Sequence, residues 1–102
     1  MQALVKANAA PGMEMREVPV PTIGPTDVLI AVETASVCGT DLHIYHWDEW
    51  ARNRIKPPYT PGHEFCGAIT AVGELVQGLA VGDFVSAEIH IACGHCLQCR
   101  HS

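Results

Sequence analysis

The sequence predicts a small domain that is mainly β, with short helices. Short apolar or alternating runs are separated by turn residues, and 102 residues include nine glycines and seven prolines. One segment alone has the spacing of apolar residues typical of a helix. Many short strands punctuated by Gly and Pro favour a barrel over a helical bundle. We therefore expect one β-rich, barrel-like domain over residues 1–102.

The first two strands are predicted at residues 3–7 and 13–18, joined by a turn at Pro11-Gly12. Both segments are short and rich in apolar residues. The alternate prolines that follow lack N–H donors and fix φ, so the next segment should be extended without forming a ladder. We expect these two strands to pair with each other.

The strongest strand candidate is residues 27–37, where side chains alternate along an apolar run. A buried strand is predicted from residue 64 to 72. Its glycines, Gly67 and Gly73, indicate a bend or a close approach of another backbone. The last strand is expected over residues 84–90.

A single helix is predicted to follow the long strand and to end near Arg54. Thr40 or Asp41 can cap its N-terminus. Apolar residues recur at helical spacing at Ile44, Trp47, Ala51 and Ile55. Two consecutive prolines then prevent the helix from continuing.

Charge and composition exclude several classes of protein. The formal charge is −5 and the six Lys and Arg residues are dispersed, which argues against a nucleic-acid partner. No run approaches the roughly 20 apolar residues that a membrane helix needs, and no secretory signal is visible at the N-terminus. Five cysteines without such a signal favour a reducing compartment. We expect a cytoplasmic protein that does not bind membranes.

Three closely spaced cysteines near the C-terminus form the first candidate metal site. Cys93, Cys96 and Cys99 are each separated by two residues, and thiolates at this spacing can converge on one ion. A structural zinc site needs four ligands. The sequence supplies three, so the fourth is expected downstream and the chain is expected to be part of a longer protein.

Two other interpretations of this cysteine loop are less favoured by the residues. Bacterial ferredoxins also use cysteines at this spacing, but the fourth cysteine and its proline are absent. A c-type haem needs His directly after a Cys-x-x-Cys pair, whereas Cys99 is followed by Arg100. Zinc is therefore favoured, and we expect this chain to bind it weakly or with His95 or His101 as a substitute for the fourth ligand.

Cys38, His63 and Glu64 form the second candidate site. A catalytic zinc takes three protein ligands and keeps one position open, and a thiolate, an imidazole and a carboxylate could serve. Spacing alone also allows a plainer interpretation, in which the cysteine is a small core residue and the histidine a satisfied polar one. The residues by themselves leave both open.

Several motifs in register resemble the signature of zinc-dependent medium-chain alcohol dehydrogenases. They are Cys38-Gly-Thr-Asp-x-His43, Gly62-His63-Glu64, Val72-Gly73, Gly82-Asp83-x-Val85 and the cysteine loop. The segment His43-Ile-Tyr-His-Trp-Asp-Glu-Trp50 is similar to that of the branch that oxidises L-threonine. The resemblance covers nearly the whole chain and implies a GroES-like twisted β-barrel with short helices.

The resemblance also implies roles for particular residues. Cys38 and His63 would bind the catalytic zinc, with Glu64 a ligand or an adjustable neighbour. Thr40 would take the proton of the substrate alcohol and His43 would pass it on, although Thr40 could equally be a helix cap and His43 an exposed polar residue. Zinc would occupy both sites.

The same resemblance sets expectations for the whole protein. NAD would accept hydride, L-threonine or a similar alcohol would be the substrate, and the full-length enzyme would be a homotetramer. No Gly-x-Gly-x-x-Gly occurs in these residues, so the nucleotide-binding domain would lie outside them and the chain alone would be inactive. The alternatives are a polyol or sugar dehydrogenase of the same family and a small non-catalytic zinc module.

Overall fold

The computed structural model describes residues 1–89, 92–93 and 95–101, except for the side chain of His101. Short strands predominate among its elements, as the sequence predicts. In chain order they are β1 (Gln2–Val5), β2 (Glu14–Glu17), β3 (Val28–Ala35), α1 (Gly39–His46), α2 (Glu49–Arg54), β4 (Phe65–Val72), β5 (Phe84–Ser86) and α3 (Leu97–His101). In the part of the chain that the structure describes, no helix has the length and apolar composition needed to cross a bilayer.

The described strands form two antiparallel sheets. β1 pairs with β2, and β4 lies between β3 and β5 in a three-stranded sheet. The register of β3 and β4 runs from Val28 opposite Val72 to Ala35 opposite Phe65. The end of β3 and the start of β4 therefore meet at one end of the sheet, and the loops beyond them are brought together there.

Two glycines on β4 and at its end allow close approach of other backbone segments, as predicted. A Cβ added at Gly67 would lie 2.1 Å from the carbonyl oxygen of Ala31 on β3. At Gly73 it would lie 2.4 Å from the carbonyl oxygen of Pro25. The absence of a side chain at these positions is what allows the strand and the preceding turn to pack so closely.

The prediction of one helix up to Arg54 is wrong, because the chain forms two helices. Trp47 ends α1 in the left-handed region, with φ 58°. Asp48 then caps α2, since its Oδ1 accepts a hydrogen bond from the backbone N–H of Ala51 at 3.0 Å. The start of α1 also differs from the prediction: the N-cap is Cys38, not Thr40 or Asp41.

A small core forms between α1 and α2, beside the segment that follows β1. Ile44, Trp47 and Ala51 are buried together there. Lys6 is fully buried beside them. Its Nζ donates to the carbonyl oxygens of Ala10 at 2.8 Å, Gly12 at 2.5 Å and Tyr45 at 3.2 Å, and it lies 5.4 Å from the Trp47 ring centroid. This lysine ties the segment after β1 to the end of α1.

The C-terminal part also departs from the prediction. The strand expected over residues 84–90 ends at Ser86 as β5, and His90 lies outside the described residues. The second half of the cysteine loop is helical, as α3, which the sequence did not predict. Spacing of three between Cys96 and Cys99 fits one turn of a helix as well as a loop.

Candidate metal centres

Cys38 and His63 lie in the two loops at the end of the sheet where β3 stops and β4 starts. Cys38 follows β3 and begins α1, while His63 lies two residues before β4. Because Ala35 and Phe65 are paired, the two side chains meet, with 3.1 Å between Cys38 Sγ and His63 Nε2. The preceding Gly62 has φ +129°, which L side chains rarely adopt. The structure thus brings together two of the predicted site residues that are 25 positions apart in sequence.

This spacing fits a shared zinc ion. Zn–S and Zn–N bonds of about 2.3 and 2.05 Å at a tetrahedral angle place sulfur and nitrogen about 3.6 Å apart. The observed 3.1 Å is shorter by about 0.5 Å, which small side-chain rotations can supply. Both side chains are half-buried, so an ion between them would be shielded from bulk water on one side.

A carboxylate that sequence reasoning treated as a helix cap belongs to this cluster. Cys38, Asp41 and His63 each offer a ligand atom, and these atoms lie within 4.8 Å of one another. Asp41 Oδ2 accepts the backbone N–H of Cys38 at 3.0 Å. Its Oδ1 is buried and has no hydrogen-bond partner among the described residues. An orphaned buried oxygen beside a thiol and an imidazole fits a cation between them.

The signal for Asp41 was present in the sequence. Cys38 and Asp41 are three positions apart, which places them on one side of the first turn of α1. What the sequence did not contain was the position of His63, which depends on the register of β3 and β4. The spacing of Cys38 and Asp41 on one helix gives no information about which loop supplies the third member of the cluster.

Glu64 lies next to this cluster but not in the group of three. Its Oε2 accepts a hydrogen bond from Ser36 Oγ at 2.8 Å, and its side chain is exposed. This places Glu64 as a neighbour of the cluster, which is one of the two positions expected for it. Its role as a ligand stays a prediction.

An open cavity of about 380 Å³ adjoins His63. Its lining includes Ser36, Glu64, Cys66 and Ile89. This volume lies within the range of sites that bind small molecules. A substrate in this cavity would lie beside the imidazole of His63.

Thr40 and His43 are exposed residues of α1, one helical turn apart. Thr40 lies in the first turn of α1, past the Cys38 cap. His43 Nδ1 contacts Asp48 Oδ2, and its ring lies 5.5 Å from that of Trp50. The Ala51 N–H and then the hydrogen bond with His43 hold the pKa of the Asp48 carboxyl below its ordinary value.

The three cysteines near the C-terminus also cluster. The Sγ of Cys99 lies 3.8 Å from that of Cys93 and 3.4 Å from that of Cys96, whereas two thiolates on one tetrahedral zinc lie about 3.8 Å apart. Backbone N–H groups of His95 and Cys96 point to Cys93 Sγ at 3.4 and 3.3 Å. They lower the pKa of Cys93 to about 7, so a thiolate ligand is available near neutral pH.

Among the described residues, the second cluster consists of the three cysteines. The exposed His95 is not part of the cysteine group found among the described residues. The side chain of His101 lies outside the described part. Both remain predictions as substitute ligands.

Comparison with known proteins decides the family. The model of the alcohol dehydrogenase GroES-like domain matches residues 24–102. The chain belongs to this family. The match confirms the predicted fold, which is mainly β, GroES-like and has short helices.

The relatives have one activity class in common. L-threonine 3-dehydrogenase of Symbiobacterium thermophilum is 57% identical over 100 residues, which are 98% of this chain and 28% of that protein. The alcohol dehydrogenase of Thermus sp. ATN1 has 42% identity and a TM-score of 0.81, covering 98% of this chain and 28% of that one. Galactitol-1-phosphate dehydrogenase of Escherichia coli has 30% identity and a TM-score of 0.79, with coverage of 98% and 28%. The chain therefore spans less than a third of these proteins.

Proposed function

We propose that this chain carries the zinc-binding part of an NAD-dependent alcohol dehydrogenase that oxidises L-threonine to 2-amino-3-oxobutanoate. The observation that carries the proposal is the 3.1 Å approach of Cys38 Sγ to His63 Nε2. A core cysteine and a histidine satisfied elsewhere would not need to meet beside a buried carboxylate oxygen that has no partner among the described residues. A shared cation accounts for all three groups.

Cys38 and His63 would hold the catalytic zinc, with Asp41 beside them and Glu64 as a neighbour able to enter the coordination shell. When bound, zinc supplies a Lewis acid that lowers the pKa of an alcohol oxygen in its open position. The Asp41 carboxylate fixes the Cys38 backbone through its Oδ2. Its buried Oδ1 contributes negative charge, which favours a cation at this place.

Thr40 and His43 would move the proton. The Thr40 hydroxyl can accept a hydrogen bond from the substrate alcohol and donate its own proton onward. His43 lies one turn further along α1 at the surface, where it can accept that proton and release it to water. NAD, when bound by the full-length protein, would supply the acceptor for hydride from the substrate carbon.

L-threonine is the substrate that the relatives favour. Eight curated relatives at 54–58% identity are named L-threonine 3-dehydrogenase, whereas the polyol phosphate enzyme is 30% identical. A polyol or sugar substrate is the second candidate, because that enzyme still has a TM-score of 0.79. We also propose the homotetrameric state and cytoplasmic location that the family resemblance implies.

A chimaera tests the activity. This chain would replace the matching N-terminal segment of the Symbiobacterium thermophilum enzyme, and NADH formation would be measured with L-threonine, sorbitol and galactitol 1-phosphate. We expect the highest kcat/KM with L-threonine and loss of turnover in Cys38→Ser. His46→Gln, which removes an imidazole of α1 outside the cluster, should keep full activity. A folded, zinc-loaded chimaera that prefers a polyol, or that remains active after Cys38→Ser, would contradict the proposal.

A further inference from the structure

The break between α1 and α2 places a carboxylate against His43. Residue 48 is five positions after His43, so in a continuous helix it would lie on a different face. The left-handed Trp47 (φ 58°) turns the chain so that Asp48 Oδ2 contacts His43 Nδ1. The feature that overturned the prediction of one helix therefore creates a specific contact of the histidine assigned to proton transfer.

Asp48 is held in place independently of His43. Its Oδ1 accepts the Ala51 N–H at 3.0 Å as the cap of α2, while its Oδ2 is directed at His43. Exposed ion pairs contribute little on average, partly because two mobile side chains must be ordered. Here the helix cap has already ordered the carboxylate, so the contact with His43 costs less entropy.

The rest of the surroundings fix the imidazole ring. Trp50 lies against it, with ring centroids 5.5 Å apart and an angle of 37° between the planes. Arg54 lies over Trp50, with its Cζ 4.9 Å from the ring centroid. Asp48 therefore contacts this histidine directly, and the guanidinium of Arg54 lies against the indole that packs beside it.

The chemistry of the contact selects one tautomer. An ionised carboxylate accepts hydrogen bonds and donates none, so Nδ1 of His43 must carry the proton. In the neutral ring, Nε2 then has a free lone pair. We propose that Asp48 is a positioning residue that holds His43 as the Nδ1–H tautomer, with Nε2 ready to accept the proton that leaves the substrate alcohol. This inference rests on the proposed function.

The numbers of protons taken up and released in this relay are equal. The alcohol proton passes through the Thr40 hydroxyl, which gives up its own proton as it receives one, and reaches Nε2 of His43. The imidazolium then carries protons on both nitrogens beside the Asp48 carboxylate. Release of the Nε2 proton to water restores the Nδ1–H form.

Nitrogen-15 NMR of the 102-residue chain reads the tautomer directly. Wild-type His43 should be predominantly Nδ1–H at alkaline pH. Asp48→Asn keeps the helix cap through its amide oxygen but presents an NH₂ donor, so the proton should move to Nε2. Asp48→Ser keeps a cap and offers no partner, which should give a mixture. Glu49→Gln, a neutralised neighbour on the same turn, should leave the tautomer unchanged.

Two results would overturn the inference at this stage. One is a wild-type His43 that is mainly Nε2–H. The other is an Asp48→Asn variant whose tautomer equals that of the wild type while its far-UV circular dichroism shows an intact fold. Asp48→Ser covers the case in which the asparagine variant does not fold.

The chimaera separates this inference from the proposed function. Asp48→Asn should lower kcat by about tenfold to a hundredfold, which is at most the lower end of what one proton-transfer group contributes, because His43 itself remains. KM should be unchanged, and Glu49→Gln should change neither constant. An inactive wild-type chimaera with Nδ1–H His43 would refute the proposed function and leave the tautomer assignment standing. An active chimaera insensitive to Asp48→Asn, although the tautomer has moved, would refute the positioning role.

Discussion

Gly67→Ala should destabilise the fold because β3 and β4 are too close to admit a methyl group. The added Cβ would lie 2.1 Å from the Ala31 carbonyl oxygen and 3.0 Å from Ile30 Cγ2. Ordinary C···O contacts are about 3.3 Å, so the strands would have to separate by about 1.2 Å. That displacement takes a neighbouring backbone hydrogen bond beyond its normal length. Overpacking and one weakened hydrogen bond together predict a loss of about 2 to 4 kcal/mol.

Urea unfolding followed by circular dichroism measures this loss. For a domain of this size, the same change should lower Tm by about 10 °C or more. Gly39→Ala is the matched control, because among the described residues no atom outside its chain neighbours and the nearby backbone of α1 lies within 4 Å of its added Cβ. Alanine also favours the first turn of α1. This control should be neutral or slightly stabilising. A Gly67→Ala variant that loses less than about 1 kcal/mol would refute the close approach of the two strands.

Two further predictions concern ionisable groups. Lys6→Met should lower the free energy of unfolding by about 2 kcal/mol, because three carbonyl groups lose the hydrogen bond from Lys6 Nζ. Burial lowers the pKa of Lys6 below 10.5. Between the folded-state pKa and 10.5, the unfolded state therefore binds more protons than the folded state, and wild-type stability rises with pH. The wild-type advantage over Lys6→Met should therefore grow as pH rises through that window; an advantage that shrinks there would contradict the reasoning. Iodoacetamide should alkylate Cys93 in the zinc-free chain with a half-maximal rate at about pH 7. Free cysteine is the control, and zinc should suppress the reaction of Cys93. A half-maximal rate near pH 9.0 would contradict the lowered pKa.

The sheet was largely predictable from the sequence. Residues 27–37 and 64–72 have the patterns of strands, and β3 and β4 occupy Val28–Ala35 and Phe65–Val72. These limits could be predicted because apolar runs end at turn residues, and turn chemistry is local. The close approach at Gly67 was predictable for a similar reason, since a glycine inside an apolar strand often marks a place where another backbone comes near.

The helix break and the convergence of His63 with Cys38 and Asp41 were not predictable in this way. Trp47 adopts a left-handed conformation that is rare for residues other than Gly and Asn. The apolar periodicity continues across this position, so it gave no indication of the helix break. His63 joins Cys38 and Asp41 through the register of two strands. Such a pairing is set by packing between residues that are distant in sequence, and periodicity over a short window carries no information about it.

Zinc content of paired variants tests the central claim most directly. Zinc-loaded wild-type chain, Cys38→Ser, His63→Ala, the double variant and Cys66→Ser would be passed through a desalting column and analysed for zinc per folded chain. The two single variants should each lose the same one equivalent, the double variant should lose no more, and Cys66→Ser should lose none. Unchanged zinc in Cys38→Ser, as a non-catalytic zinc module would show, or losses that add in the double variant, would contradict a shared ion.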